Sequence, residues 1–169
     1  VTIGDDKSQD VLRTSMAMGI DRSILVKSSN TLEPLAVAKT LVKIIEKENP
    51  DLVLLGKQAI DDDSNQTGQI LSALMNWPQG CFISELKIED NKLLISREID
   101  EGIEKLETSL PAVLTCDLRL NTPRFASLPN IMKAKKKPLD IIEIDTLGID
   151  TESKIKVLNV VEPPKREAG

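Results

Sequence analysis

The stretch PLAVAKTLVKIIEKENPDLVLLGKQAIDDDSNQTGQI, residues 34–70, decides the fold. Pro34 suits an early helical position, because its fixed φ matches the first turn, and it opens a helix that runs through Glu48. Leu35, Ala38, Leu41, Val42 and Ile45 recur at spacings of three and four, which lays one apolar stripe against a sheet. Leu52 to Leu55 is uniformly apolar, as expected of a parallel strand covered on both faces. From Gly56 to Ile70 the chain leaves that strand as a loop and enters a helix over about Asn65 to Asn76.

Upstream, Val1 to Ile3 read as a short buried strand ended by Gly4. Asp5 or Asp6 can cap a helix carrying Val11, Leu12, Ser15, Met16 and Met18, with Gly19 as its stop. Ser23 to Val26 make a second strand. Strand, helix, strand, helix, strand is the doubly wound α/β signature, and it places ligand sites at the carboxyl ends of the strands. After Trp77-Pro78 the pattern changes. Phe82 to Glu89 and Lys92 to Asp100 flank Asp90-Asn91, a hairpin turn; Ile103 to Thr108 and Ala112 to Cys116 add strands to an antiparallel, strand-rich extension. Residues 122–137 read as a Pro-interrupted loop and a short basic helix, with further strands at Leu139 to Ile144 and Ile155 to Val161.

The chain has 169 residues, about one domain, and can bury roughly 70% of its unfolded surface in one core. Histidine and tyrosine are absent and aromatics make up 2%, so Leu, Ile and Val must fill that core. Without histidine there is no Ser-His-Asp or Cys-His nucleophile, no imidazole general base and no imidazole zinc ligand. A net charge of −5 and one Trp with two Phe exclude a duplex-binding footprint and a single-strand stacking platform. Runs such as Leu52 to Leu55 are too short to be membrane-embedded. Cys81 and Cys116 lie in apolar, strand-like contexts and read as buried thiols in a reducing compartment. VTIG opens the chain without an initiator Met, and the polar EPPKREAG closes it, as expected of an excised or processed piece of something longer.

Chemistry concentrates in two segments. The loop GKQAIDDDSNQTGQI leaves a strand and opens a helix, where free N–H groups and the positive dipole end suit a phosphate. Gly56 lets the backbone turn or approach a ligand closely; Ser64, Asn65, Gln66 and Thr67 offer short polar groups. Alternatively, Asp61, Asp62 and Asp63 simply cap a helix in a solvated turn. A calcium loop fails, since Gln66 stands at the required glycine and Ser72 at the bidentate Glu, and no P-loop pattern occurs. The aspartates argue against dense phosphate charge, so a mononucleotide fits better than a triphosphate. The second segment is RFASLPNIMKAKKKP, residues 124–138. It reads either as a helix with a buried stripe of Leu128, Ile131 and Met132 and a solvated basic face, or as a docking segment with Leu128 as anchor. Trp77 reads as a helix-end packing residue, and Glu85, Glu89, Glu98, Asp100 and Glu104 as solvated hairpin faces.

DLVLLGKQAIDDDSNQTGQ, WPQG, PAVLTCDLRLN-P-R and SLPNIMKAKKK occur in that order, and together the chain from VTIG to VEPP resembles the electron transfer flavoprotein beta subunit family. The resemblance implies an α/β nucleotide-binding fold of the adenine nucleotide alpha hydrolase-like kind. It implies no enzyme activity, but a carrier role in electron transport for fatty acid beta-oxidation. An alpha subunit would complete a heterodimer and hold most of the FAD near the interface. Structural AMP would lie on Gly56, Lys57, Gln58, Ala59, Ile60, Asp61, Asp62, Asp63, Ser64, Asn65, Gln66 and Thr67. Ser64 stands where relatives often have Cys. Leu128, Pro129, Asn130, Ile131 and Met132 match the recognition loop that docks acyl-CoA dehydrogenases, and Lys133 and Lys136 match lysines methylated in animal mitochondrial members. The LPNIMKAKKK loop resembles the non-bifurcating group, with AMP in place of a second FAD. Electrons would pass to a membrane quinone oxidoreductase, electron transfer flavoprotein-ubiquinone oxidoreductase. The location implied is cytoplasmic in a bacterium and the mitochondrial matrix in a eukaryote. Against this family, residues 1–169 form a single nucleotide-binding domain lacking an N-terminal strand and a C-terminal arm. A stand-alone adenine-nucleotide-binding, stress-type sensor module of the same fold is the alternative; an ATP-pyrophosphatase is set aside because its SGGxDS-type loop is absent.

Overall fold

The computed structural model describes residues 1–162. Its α/β class and antiparallel strands are as the sequence predicts, but the parallel strands are shared between two sheets. Ala112 to Cys116, expected in the antiparallel extension, is a parallel strand inside the second sheet, because it follows the meander back to pair with Leu52–Gly56. One sheet has the order β1-β2-β8, from β1 (Thr2–Gly4), β2 (Ser23–Lys27) and β8 (Leu139–Glu143), all parallel. The other has the order β3-β7-β4-β5-β6, from β3 (Leu52–Gly56), β4 (Gln79–Glu89), β5 (Lys92–Ile99), β6 (Gly102–Ser109) and β7 (Ala112–Cys116). Within it β3, β7 and β4 are parallel, and β4-β5-β6 form an antiparallel meander. The first hairpin turns at Asp90, whose φ of 52° is the left-handed value that short polar side chains tolerate.

Helix α2 (Pro34–Glu48) has the bounds expected, yet it buries more than one stripe. Ile44 packs with Ile24 and Val26 of β2, whereas Ala38 and Ile45 pack with Val113 of β7 and Leu71. The helix therefore bridges the two sheets. This explains why Ile44, outside the predicted stripe, is buried while Leu35, inside it, is 41% exposed. Leu71 belongs to α3 (Thr67–Met75), which closes at Asn76 in the left-handed conformation. Trp77 packs beneath that end as expected.

Leu52 to Leu55 is not covered on both faces: Leu54 is 53% exposed, because β3 is the outer strand of its sheet. The free edges of β1 and β3 line a single groove of about 620 Å3 floored by Leu41, Ile44 and Ile45 of α2. β1 itself is only half-buried. Asp5 caps a 3-10 turn at Asp6–Ser8, its carboxylate accepting from Lys7 N–H at 3.0 Å, and α1 (Gln9–Ala17) follows. α4 (Leu128–Ala134) lies against α1, where Met16, Ala17 and Ala134 form a small core.

Two expectations near the end of the chain change. Ile155 to Val161 form no strand; the segment has no regular structure, and Leu158 is 87% exposed. Upstream of it, Glu33 accepts from the N–H groups of Lys154 and Ile155, both at 2.9 Å, which ties this segment to the start of α2. The closing residues 163–169 lie outside the described ones. Cys81 is buried as expected and Cys116 half-buried, both as free thiols. Of the hairpin acids, Glu85, Glu89, Glu98 and Asp100 are exposed as expected, Glu98 pairing with Arg119 and Glu85 accepting from Ser96, and Glu104, paired with Arg97, is half-buried. Among the described residues, no helix is long and apolar enough to cross a membrane.

Candidate functional site

β3 and β7 end side by side, with Gly56 opposite Cys116, and the chain leaves β3 there to form the loop entering α3. The loop supports itself. Asp63 N–H donates to the Ala59 carbonyl at 3.1 Å, Asp62 N–H to Asp61 Oδ1 at 3.0 Å, and Ser64 N–H to Asp62 Oδ1 at 3.1 Å. The Gln58 amide meets the Asp63 carboxylate. Asp63 and Asn65 take left-handed φ values of 55° and 48°. The three carboxylates are thus engaged by the loop's own donors and do not cap α3.

The start of α3 keeps its donors open. Gln66 makes no side-chain cap, and the first helical bond is Ile70 N–H to the Gln66 carbonyl at 3.0 Å. The N–H groups of Thr67, Gly68 and Gln69 consequently have no partner within the helix. Gln69 donates through Nε2 to Asn65 Oδ1 at 3.2 Å, while its Oε1 is buried without a partner, singular in this respect among the described residues. The open donors of Thr67 and Gly68, both of which line the cleft here, suit anionic oxygens such as those of a nucleotide phosphate, whereas Gln69 does not line it. The cleft here is about 250 Å3, bounded by Gly56, Gln58, Ser64, Asn65 and Thr67. Ile60 projects fully into solvent at the loop's tip. Gly56 is not a turn residue: it is paired in β3, and a Cβ added to it would meet nothing within 4 Å, so its side of the strand is open to close approach. A second cleft, about 360 Å3, lies past the carboxyl ends of β1 and β2 between Gly4, Ser28 and Asn30.

Lys57 also lines the first cleft, and its ammonium is drawn to the end of β7. Its Nζ lies 2.5 Å from Oδ2 of Asp117, whose side chain is 2% exposed, and 5.9 Å from the centre of the Phe82 ring. Asp117 Oδ1 accepts from Arg119 Nε at 2.9 Å and from Arg119 N–H at 3.0 Å. The Arg119 guanidinium, then Lys57, holds the Asp117 carboxyl well below the usual carboxylate range. A depressed carboxyl of this kind adds stability in full above the unfolded-chain value and loses it as the pH falls toward the lowered one. Sequence reading missed Asp117, Arg119 and Gln69. The available signal was an aspartate directly after the apolar strand AVLTC, a charge that has to be paired where it stands.

The second site is α4. Leu128 is 74% exposed and Met132 56%, so the buried-stripe alternative does not hold; only Ala134 faces inward. Pro129, Asn130, Lys133 and Lys136 are exposed beside them, and Ile131 is 41% exposed. The helix is clamped at its far end. Arg13 Nη1 donates to the carbonyls of Ala134 at 2.8 Å and Lys137 at 2.7 Å, while Lys137 Nζ donates to those of Met16 at 3.1 Å and Ile20 at 2.6 Å. Each helix end is capped by a cation from the other segment, which complements both dipoles. Arg13→Ala is expected to cost roughly 1–3 kcal/mol, read as a lower Tm, and to speed amide exchange in α4 more than in β7.

An α/β domain with an uncapped helix start at parallel strand ends, and a separate exposed apolar helix with a basic rim, is the class this geometry defines. The electron transfer flavoprotein domain matches residues 1–147. The chain is 53% identical to the electron transfer flavoprotein subunit beta of Bos taurus and of Homo sapiens, and 52% identical to that of Bradyrhizobium diazoefficiens. Each match spans 100% of this chain and 68% of the relative. The chain belongs to the electron transfer flavoprotein family, and these relatives are its beta subunits.

Proposed function

We propose that the chain is the nucleotide-binding body of an electron transfer flavoprotein beta subunit, a carrier component and not an enzyme. It pairs with an alpha subunit that holds most of the FAD, accepts electrons from acyl-CoA and other dehydrogenases, and delivers them to a membrane quinone oxidoreductase. Residues 56–67 with the start of α3 hold AMP, and Leu128 to Met132 form the docking segment. The carrying observation is the uncapped α3 terminus, whose Thr67 and Gly68 line the cleft, in a loop whose carboxylates are already engaged. The AMP phosphate would take the free N–H groups of Thr67 and Gly68. The redox chemistry belongs to the flavin when bound; this chain orients, shields and docks.

Two further parts of this reading concern the free strand edges and the lysines after Met132. The groove between the β1 and β3 edges suits one extended strand hydrogen-bonded to both, as the expected N-terminal strand would be, and such a strand would join the two sheets. Lys133 and Lys136, both exposed, are the methylation candidates if the source is an animal mitochondrion. By the same reading the protein works in the cytoplasm of a bacterium or the mitochondrial matrix of a eukaryote.

Heat denaturation of the complete heterodimer is expected to release AMP at about one per beta chain, read by chromatography of the supernatant. FAD recovered in that stoichiometry beyond the alpha-subunit flavin would instead mark a bifurcating relative. Co-expression with an alpha subunit separates the sensor-module alternative: a yellow heterodimer supports the carrier, a colourless homo-oligomer the sensor.

A further inference from the structure

The loop at residues 57–66 is built on β7 as much as on β3. At its entry, Lys57 N–H donates to the Cys116 carbonyl at 3.1 Å, extending the β3–β7 ladder one step past Gly56. The next residue of β7's path, Asp117, then takes the Lys57 ammonium at 2.5 Å. At the exit, Gly68 sits so tightly on Thr115 that a Cβ would lie 2.4 Å from its Cγ2. Thr115 is 2% exposed and its hydroxyl accepts from Phe82 N–H at 3.0 Å, so it cannot move aside without breaking that bond. The two ends of the loop are therefore spaced by Thr115, Cys116 and Asp117.

Asp117 is held from the other side as well. Its own N–H donates to the Ile83 carbonyl at 2.9 Å, and Arg119, bonded to its Oδ1, reaches on to Glu98 of β5. A rigid buried carboxylate gripping the first side chain of a loop is a strut, and the lysine so gripped is neutralised. Its charge is satisfied before any phosphate arrives.

We infer that Asp117 is a positioning residue for nucleotide binding, acting through Lys57, and that Lys57 is the loop's anchor and not a phosphate ligand. The inference rests on the AMP reading of this site but concerns how the loop is held. Without the strut, the backbone leaving β3 is free to swing, and the loop amides and the Asn65–Gln69 pair lose their common orientation.

The test uses the full heterodimer with Lys57→Met, Asp117→Asn, the double variant and Lys57→Arg. AMP affinity is measured by titrating AMP into nucleotide-stripped protein, and loop order by amide hydrogen exchange over residues 58–66 without AMP. Each single variant is expected to weaken AMP about tenfold and to accelerate loop exchange severalfold. The double variant should be no worse than either single one, because one contact is lost in all three. Lys57→Arg, which still pairs with Asp117, should stay near wild type in both readouts. A tenfold loss in Lys57→Met with unaltered affinity in Asp117→Asn overturns the inference, since Lys57 would then be touching the phosphate directly. Unchanged loop exchange in Asp117→Asn overturns it too. Wild-type protein that takes up no AMP, yet whose loop exchange rises in Asp117→Asn, sinks the AMP reading and leaves the strut standing.

Discussion

Leu128→Ala is expected to slow reduction of the flavoprotein by an acyl-CoA dehydrogenase roughly ten- to a hundredfold while leaving its FAD content unchanged. Burying a leucine is worth about 1.5–3 kcal/mol, and each 1.4 kcal/mol is a factor of ten. Leu128 is 74% exposed in the free chain, so nearly all of that burial remains to be gained on contact with a partner. Its neighbours Ile131 and Met132 extend the apolar patch, and Lys133, Lys135 and Lys136 surround it. Those lysines should govern salt dependence and on-rate against an acidic partner more than affinity. Stopped-flow reduction at low and high salt separates the two contributions. Wild-type rates in Leu128→Ala would remove the docking role from α4. The variant is informative because Leu128 contributes nothing to the core, so its folding should be unaffected.

Leu114→Ala is expected to do the opposite, costing roughly 2–5 kcal/mol of stability with no direct effect on docking. Leu114 is wholly buried in the middle of β7 and packs with Ile83, Leu93, Ile95 and Ala112. It also sits against Gly80, where an added Cβ would come within 2.9 Å of its Cδ2. Since β7 lies between β3 and β4, the cavity left by truncation opens under the strand that carries Thr115 and Asp117. At roughly 2–4 °C per kcal/mol for a domain of this size, a fall of about 4–20 °C in Tm should be seen by calorimetry of the heterodimer. A shift of less than a degree would mean that the β3-β7-β4 core is not what holds the domain together.

Local signals read well where burial is local. Pro34, the three-and-four spacing and Glu48 bound α2 correctly, and Asp90-Asn91 marks a real hairpin turn. Leu128, Ile131 and Met132 stood out because they break the polarity of a basic segment, which does not tell whether they are buried or exposed. Failures came where the deciding contact lies far along the chain. Nothing near Lys57 announces that its partner is Asp117, sixty residues away. Ile44 escaped the predicted stripe because a helix touching two sheets needs two buried faces, which a one-stripe pattern does not describe. Ile155 to Val161 has the β-branched composition of a strand, yet no sheet edge receives it among the described residues. Leu54 looked buried because an all-apolar run does not say whether its strand is central or at an edge.

The groove over α2 carries a consequence for handling the protein. Unpaired strand edges are templates for intermolecular pairing, and neither β1 nor β3 bears the proline or the row of charges that usually protects such an edge. Residues 1–169 produced by themselves should therefore self-associate through these edges and precipitate at concentrations where the full-length heterodimer stays clear.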